Sequence, residues 1–193
     1  MKRILFDKIV TLVGFGIGIF LLLAAGLLNW GATFAADAVN AQLEVQQITL
    51  PQVTGNKAES ADVTKFFQDN GKKIMTTEKQ AQMYADHYIG FHLSAMPTYA
   101  SAATAARVAS KALAANPTDA TLQASANAKA AVVETVFRGN MLRATLLTAY
   151  AFGTLGIIAG ISAIAAFVGG ALLLLLCLVG LFKIRRTPSE ATI

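Results

Sequence analysis

Charged residues are missing from two long stretches of the chain, residues 9–36 and 144–182, and a polar stretch separates them. The first has an apolar core over 9–28, long enough to cross the ~30 Å hydrocarbon layer as a helix. Lys2, Arg3 and Lys8 precede it, and Asn29 and Trp30 follow it, where an amphipathic ring favours the headgroup boundary. We therefore expect a cytoplasmic N-terminus over 1–8 and a transmembrane helix over 9–30.

The second stretch is longer, and a helix over all of it would overshoot the bilayer. Lys183, Arg185 and Arg186 close it, and basic residues beside a span stay cytoplasmic, so the number of crossings is even. Over 155–181 only Gly169-Gly170 interrupts the run, which leaves a third span nowhere to turn. These signals place a membrane-proximal helix at 144–159, a second transmembrane helix at 160–182 and a cytoplasmic tail at 183–193. The expected location is the cell membrane, multi-pass, with both termini cytoplasmic and the domain over 31–143 extracytoplasmic. A cleaved signal peptide competes for the N-terminus, since Met1-Lys2-Arg3 makes an n-region and Ala36-Asp37-Ala38 fits small-x-small. Against it, the apolar stretch exceeds the usual ~7–15 residue h-region.

The central domain reads as helical. Residues 35–47 are rich in helix formers and extend the first span outward until Pro51, whose ring disfavours helical geometry at Leu50. Composition makes 51–64 a loop, and Phe66-Phe67 before Asn70-Gly71 reads as an apolar anchor and a turn. Thr77 with Gln80 is a capping-box pair that starts a helix, along which Ala85, Ile89, Leu93 and Met96 share a buried face until Pro97. Residues 99–115 are alanine-rich and helical, and Asn116-Pro117 is a further start signal, with Asn as cap and Pro at the first helical position. The fold class expected is an all-α membrane protein: two transmembrane helices flanking a small extracytoplasmic helical bundle.

The net charge of +5 changes this picture little, because the basic residues concentrate at the two ends and are topological. A nucleic-acid partner is not expected. The single cysteine, Cys177, lies in the second span, so no intramolecular disulfide forms. Neither span holds an ionisable residue of the kind that ion pathways need. His87 and His92, five apart on a helix, point about 140° apart and do not share a metal. No nucleophile motif or phosphate loop appears, so no catalytic residue, metal or cofactor is assigned.

Gly14 with Gly18 and Gly156 with Gly160 are small-x-x-x-small pairs suited to close helix packing, between the spans or with another copy. Arg138 and Arg143 flank Gly139 just before the apolar run, where an arginine meets lipid phosphate or a carboxylate on a neighbouring helix. Tyr84, Tyr88, Phe91, Phe137 and Tyr150 are candidates to line an apolar pocket, the competing role being ordinary core.

The stretch Gln80-Ala81, Tyr84-Ala85, Ile89 and His92-Leu93, with Phe137-Arg138-Gly139, Leu142-Arg143, Leu146-Leu147 and Tyr150, resembles a family of uncharacterised actinobacterial two-span membrane proteins with a helical extracytoplasmic domain. The resemblance extends over nearly the whole chain, including the Trp30-Gly31 exit, and singles out His92, Arg138 and Arg143 for testing. Some members carry a ring-opening dioxygenase label, but an iron site of two histidines and a carboxylate needs histidines that converge. The function expected is a non-catalytic scaffold or accessory subunit of a larger cell-envelope or respiratory membrane complex. The alternative is binding of lipid or a small apolar ligand by the extracytoplasmic domain. Expected contact residues are Tyr84, Tyr88, His92, Phe137, Arg138 and Arg143. Expected partners are membrane lipid and a membrane protein or a second copy of the chain.

Overall fold

The computed structural model describes residues 3–186, with side chains from Leu5 onward, and over them the protein is all-helical. Two helices carry the apolar stretches, α1 (Arg3–Glu44) and α6 (Ala120–Arg186), and both are long and apolar enough to cross a membrane. Between them come α2 (Ala61–Asn70), α3 (Glu78–Met83), a π-helical segment (Tyr84–Ile89), α4 (Gly90–Ser94) and α5 (Tyr99–Ala115). The chain forms two compact units, one of α1 up to Asp37 with α6 from Thr154, the other running from Ala38 to Gly153. Of the termini expected to be cytoplasmic, 1–2 and 187–193 lie outside the described residues, while Lys8, Lys183, Arg185 and Arg186 sit on the two long helices. The stretches 144–159 and 160–182 are parts of one uninterrupted helix.

In the first unit α1 and α6 run antiparallel along a seam of small residues. A Cβ added at Gly14 would meet the Cys177 sulfur at 2.5 Å, one at Gly18 the Leu174 side chain at 2.7 Å, and one at Gly156 the Ala35 Cβ at 2.7 Å. Gly160 lies against Ala32. Gly18 and Gly170 bring backbone to backbone, because a Cβ on Gly170 would stand 3.0 Å from the Gly18 carbonyl oxygen. Buried positions on α6 recur every seven residues, at Gly156, Ala163, Gly170 and Cys177, the repeat of a coiled coil. Thr11, Gly18 and Ala25 keep the same repeat on α1. The large side chains face outward instead: Leu12 is 74% exposed and Leu27 71%. Small residues inside with leucines outside is the arrangement that lipid favours, since helix association there depends on close backbone packing.

In the second unit the core is built from Val39 and Leu43 of α1, Leu50, Phe67, Met75, the helix after Thr77, and Leu146 of α6. Thr49 pairs with Ile74 in an isolated antiparallel bridge, secured by Leu50 N–H to the Lys73 carbonyl at 3.0 Å and Met75 N–H to Ile48 at 2.8 Å. This buries Leu50 and Met75 and returns the chain after α1 to the core. The turn at Asn70-Gly71 works differently from its composition, because Lys72 carries the positive φ of 66°. Gly71 is required by space, a Cβ there falling 2.5 Å from Gln52 Cγ.

Two expected boundaries are corrected. The loop assigned to 51–64 is shorter, since the Ser60 hydroxyl accepts from Val63 N–H and starts α2 at Ala61. The helix start assigned to Asn116-Pro117 belongs to Asp119, whose Oδ1 accepts from Thr121 and Leu122 N–H at 2.8 and 3.1 Å. Asn116 instead ends α5, donating its N–H to the Leu113 carbonyl. From Tyr99 to Ala115 and from Ala120 to Phe137 the rises are about equal, about 25 Å each, and the rings of Tyr99 and Phe137 stand 6.1 Å apart. The two segments therefore form an antiparallel hairpin, closed at one end by 116–119 and at the other by this aromatic pair.

Candidate functional site

The helix that starts at Thr77 runs antiparallel along α6. The capping box there is complete, Thr77 Oγ1 accepting from Gln80 N–H and Gln80 Oε1 accepting from Thr77 N–H. Gly153 receives the first turn of α3, where a Cβ would meet Glu78 Cβ at 2.5 Å, and Gly139 receives Leu93 at the other end. Between these two contacts the helix widens over Tyr84–Ile89 into a π turn. Single π turns within helices concentrate at functional sites.

Arg143 of α6 grips this turn. Its Nε donates to the Ala85 carbonyl at 3.1 Å, and its Nη2 donates to Asp86 Oδ1 at 2.9 Å. The Ala85 carbonyl also accepts the i→i+5 bond from Gly90 N–H. A Cβ at Gly90 would stand 3.4 Å from that oxygen and 3.6 Å from Arg143 Nε, ordinary van der Waals contact. The ion pair is 40% and 35% exposed on its two sides, which limits its Coulombic worth, but the guanidinium joins two elements by a backbone and a side-chain bond together.

On the neighbouring face, His87 Nδ1 lies 3.1 Å from Glu59 Oε2 and ties the loop before α2 to the π segment. An ionised carboxylate only accepts, so His87 Nδ1 carries the proton in this contact. The loop also lies beside α4 at Gly55, where a Cβ would be in contact with the Phe91 ring at 3.4 Å and the φ of 87° calls for glycine. His92 donates from Nδ1 to the Tyr88 carbonyl at 2.7 Å. The rings of Tyr84, Tyr88 and His92 then follow one another in a ladder, Tyr84 stacked on Tyr88 at 4.9 Å and His92 tilted against Tyr88 at 4.5 Å, with Phe91 edge-on to His92. Burial pushes the Tyr84 phenol above its usual range, and the neighbouring Tyr88 adds to the shift.

The expected contact residues thus fall into three places. Tyr84, Tyr88 and His92 form the ladder, and Arg143 and Asp86 form the clamp beside it. Phe137 packs on Tyr99, and Arg138 pairs with Glu134 on an exposed helix face, so Arg138 and Arg143 point in different directions. Gly14, Gly18, Gly156 and Gly160 lie in the seam of the other unit. An apolar groove of about 580 Å³ does exist in this unit, but α1 and α6 line it, through Val39, Leu43, Leu142, Leu146 and Phe152. None of the five aromatic candidates contributes to its lining. Among the described residues no three His, Cys, Asp or Glu side chains gather as metal ligands. Glu59 and the Ala85 carbonyl went unnoticed in the sequence, and the nearest signals were Asp86 beside His87 and the isolated Gly90. Comparison with protein-family models, curated proteins and solved structures finds no match to this chain.

Proposed function

We propose that this is an integral membrane protein with two transmembrane helices, cytoplasmic termini and a small extracytoplasmic helical bundle, and that it serves as a non-catalytic accessory subunit or scaffold in a larger cell-envelope or respiratory membrane complex. On this reading it is a relative of the actinobacterial two-span proteins that its sequence resembles. The observation that carries the proposal is the apolar surface that α6 presents within the second unit. Phe137, Met141, Leu142 and Phe152 are all exposed there, and large apolar side chains exposed outside lipid are what a protein partner covers. The polar groups beside it support the same reading, since Arg143, Asp86, His87 and Glu59 join backbone elements to one another. The test is gentle detergent extraction from the native host, followed by native mass and identification of co-purifying proteins. Stoichiometric partners lost on Met141→Lys or Phe152→Glu support the proposal. A chain that migrates alone under several mild detergents sinks it.

A second reading rests on the groove between α1 and α6. Its lining carries Gln42, Gln46, Thr145 and Thr148 but no charged side chain, which suits a lipid tail or a small apolar ligand. Leu146 is already buried in the core, so Thr148→Trp is the better variant to fill the groove. Apolar ligand recovered with the wild type and lost from Thr148→Trp would favour this reading. Equal recovery from both would remove it.

A further inference from the structure

At the basic end of the first unit, α1 and α6 stay in contact through Gly14, Cys177 and Gly180 and leave an open cleft of about 450 Å³ along their seam. Asp7 and Lys183 stand at one end of its lining, and Val10, Val13, Ile17, Leu173 and Leu176 form its walls. The cleft exists because Gly14, Cys177 and Gly180 put little side chain into the seam at this level. From Asp7 to Ile17 on α1, and from Lys183 to Leu173 on α6, the helical rise is about 15 Å, half of the ~30 Å hydrocarbon layer. A cleft that is charged at one end and apolar through the depth of one leaflet suits part of a phospholipid: its headgroup and one of its two acyl chains.

Charge decides which lipid. Lys8, Lys183, Arg185 and Arg186 cluster at this end against Asp7. Lys183 and Arg186, three apart and so on one helix face, also share a second, shallower groove with Val179 and Phe182. A basic pocket between spans on the cytoplasmic side is suited to a phosphate headgroup. Asp7 repels a second acid at the mouth, while its carboxylate accepts from a hydroxyl. We infer that this cleft is a binding site for an anionic phospholipid with a hydroxylated headgroup, of the phosphatidylglycerol type. Its phosphate lies at Lys183 and at Arg186 of the adjoining groove, and one acyl chain lies along the seam, against Val10, Ile17, Leu173 and Leu176. The inference rests on α1 and α6 spanning the bilayer, and resistance of the full chain to alkaline carbonate extraction checks that reading separately.

The experiment is native mass spectrometry of the full-length protein released from detergent with phosphatidylglycerol, phosphatidylethanolamine or phosphatidylcholine added at equal concentration. The wild type should retain one phosphatidylglycerol at energies that strip the other two. The double variant Lys183→Gln with Arg186→Gln should lose that preference, about fivefold for each cation removed. Val10→Trp, which fills the cleft from its wall, should weaken retention of all three lipids. Equal retention of the three by the wild type overturns the inference. So does a preference for phosphatidylethanolamine, which would make Asp7 the ligand of an ammonium, and so does a preference unchanged in the double variant. Circular dichroism of each variant shows whether its helices have formed.

Discussion

A single arginine joins α6 to the π turn, 58 residues away in the chain. Arg143 spends one donor on a backbone carbonyl and another on Asp86, and both contacts depend on the π turn that presents them together. Removing the guanidinium takes one donor from the Ala85 carbonyl, which keeps the Gly90 bond, and takes Arg143 from Asp86 as its ion-pair partner. Arg143→Ala should therefore destabilise the domain by about 1–2 kcal/mol, the value of a charge-assisted bond discounted for partial exposure. A cycle with Asp86→Asn, followed by thermal unfolding, should return a coupling of about 1 kcal/mol, and additive effects would deny the contact. Tyr84 supplies a second test. Its phenol is raised by burial, so between the usual value, about 10, and the folded one the unfolded chain loses a proton that the folded chain keeps. Its contribution to stability is thus intact at neutral pH and lost as the pH climbs through that window. Tyr84→Phe should shift alkaline unfolding, followed by tyrosinate absorbance, to higher pH, and an unchanged midpoint would mean that another group governs it.

At the scale of elements, glycines place the helices. Gly139 and Gly153 do not interrupt α6; each accepts a side chain of the helix that lies along it. The two differ in what they accept, the flexible tip of Leu93 in one case and the Glu78 Cβ, next to its own backbone, in the other. Gly139→Ala should be neutral or slightly stabilising, because Leu93 can rotate away and alanine raises helix propensity by up to about 1 kcal/mol. Gly153→Ala should cost about 1–3 kcal/mol, since α3 itself must shift. Denaturant unfolding of the two variants separates the effects, and equal outcomes would mean that α3 does not pack at Gly153. The pattern was only partly legible beforehand. Small-x-x-x-small pairs marked Gly14, Gly18, Gly156 and Gly160, but the seven-residue repeat through Ala163, Gly170 and Cys177 is hidden in sequence by leucines that satisfy any apolar period. The π turn itself was not legible, because nothing in Tyr84–Ile89 breaks a helix and its stabilising group, Arg143, lies 58 residues from Ala85.

At the scale of the molecule, the proposed topology makes opposite demands on two thiols. Cys177 is 6% exposed within the seam and should resist alkylation in intact cells. A cysteine introduced at exposed Ser110, on α5, should react with a membrane-impermeant maleimide added outside. Labelling of Ser110→Cys only after lysis would place the central domain in the cytoplasm and reverse the topology.

The sequence by itself determined the helical class, the two stretches able to cross a membrane, the capping box at Thr77 and the apolar anchor at Phe67. Each of these depends on residues close together in the chain, through periodicity, capping or unbroken hydrophobicity. Only the tertiary structure decided that Arg143 holds a π turn, that Glu59 meets His87, and that the apolar groove belongs to α1 and α6 while the tyrosines stack on one another. Those outcomes turn on which helix faces meet and at what register. In an alanine-rich chain many registers bury similar area, and the choice among them falls to a few glycines and one arginine whose partners are distant in sequence.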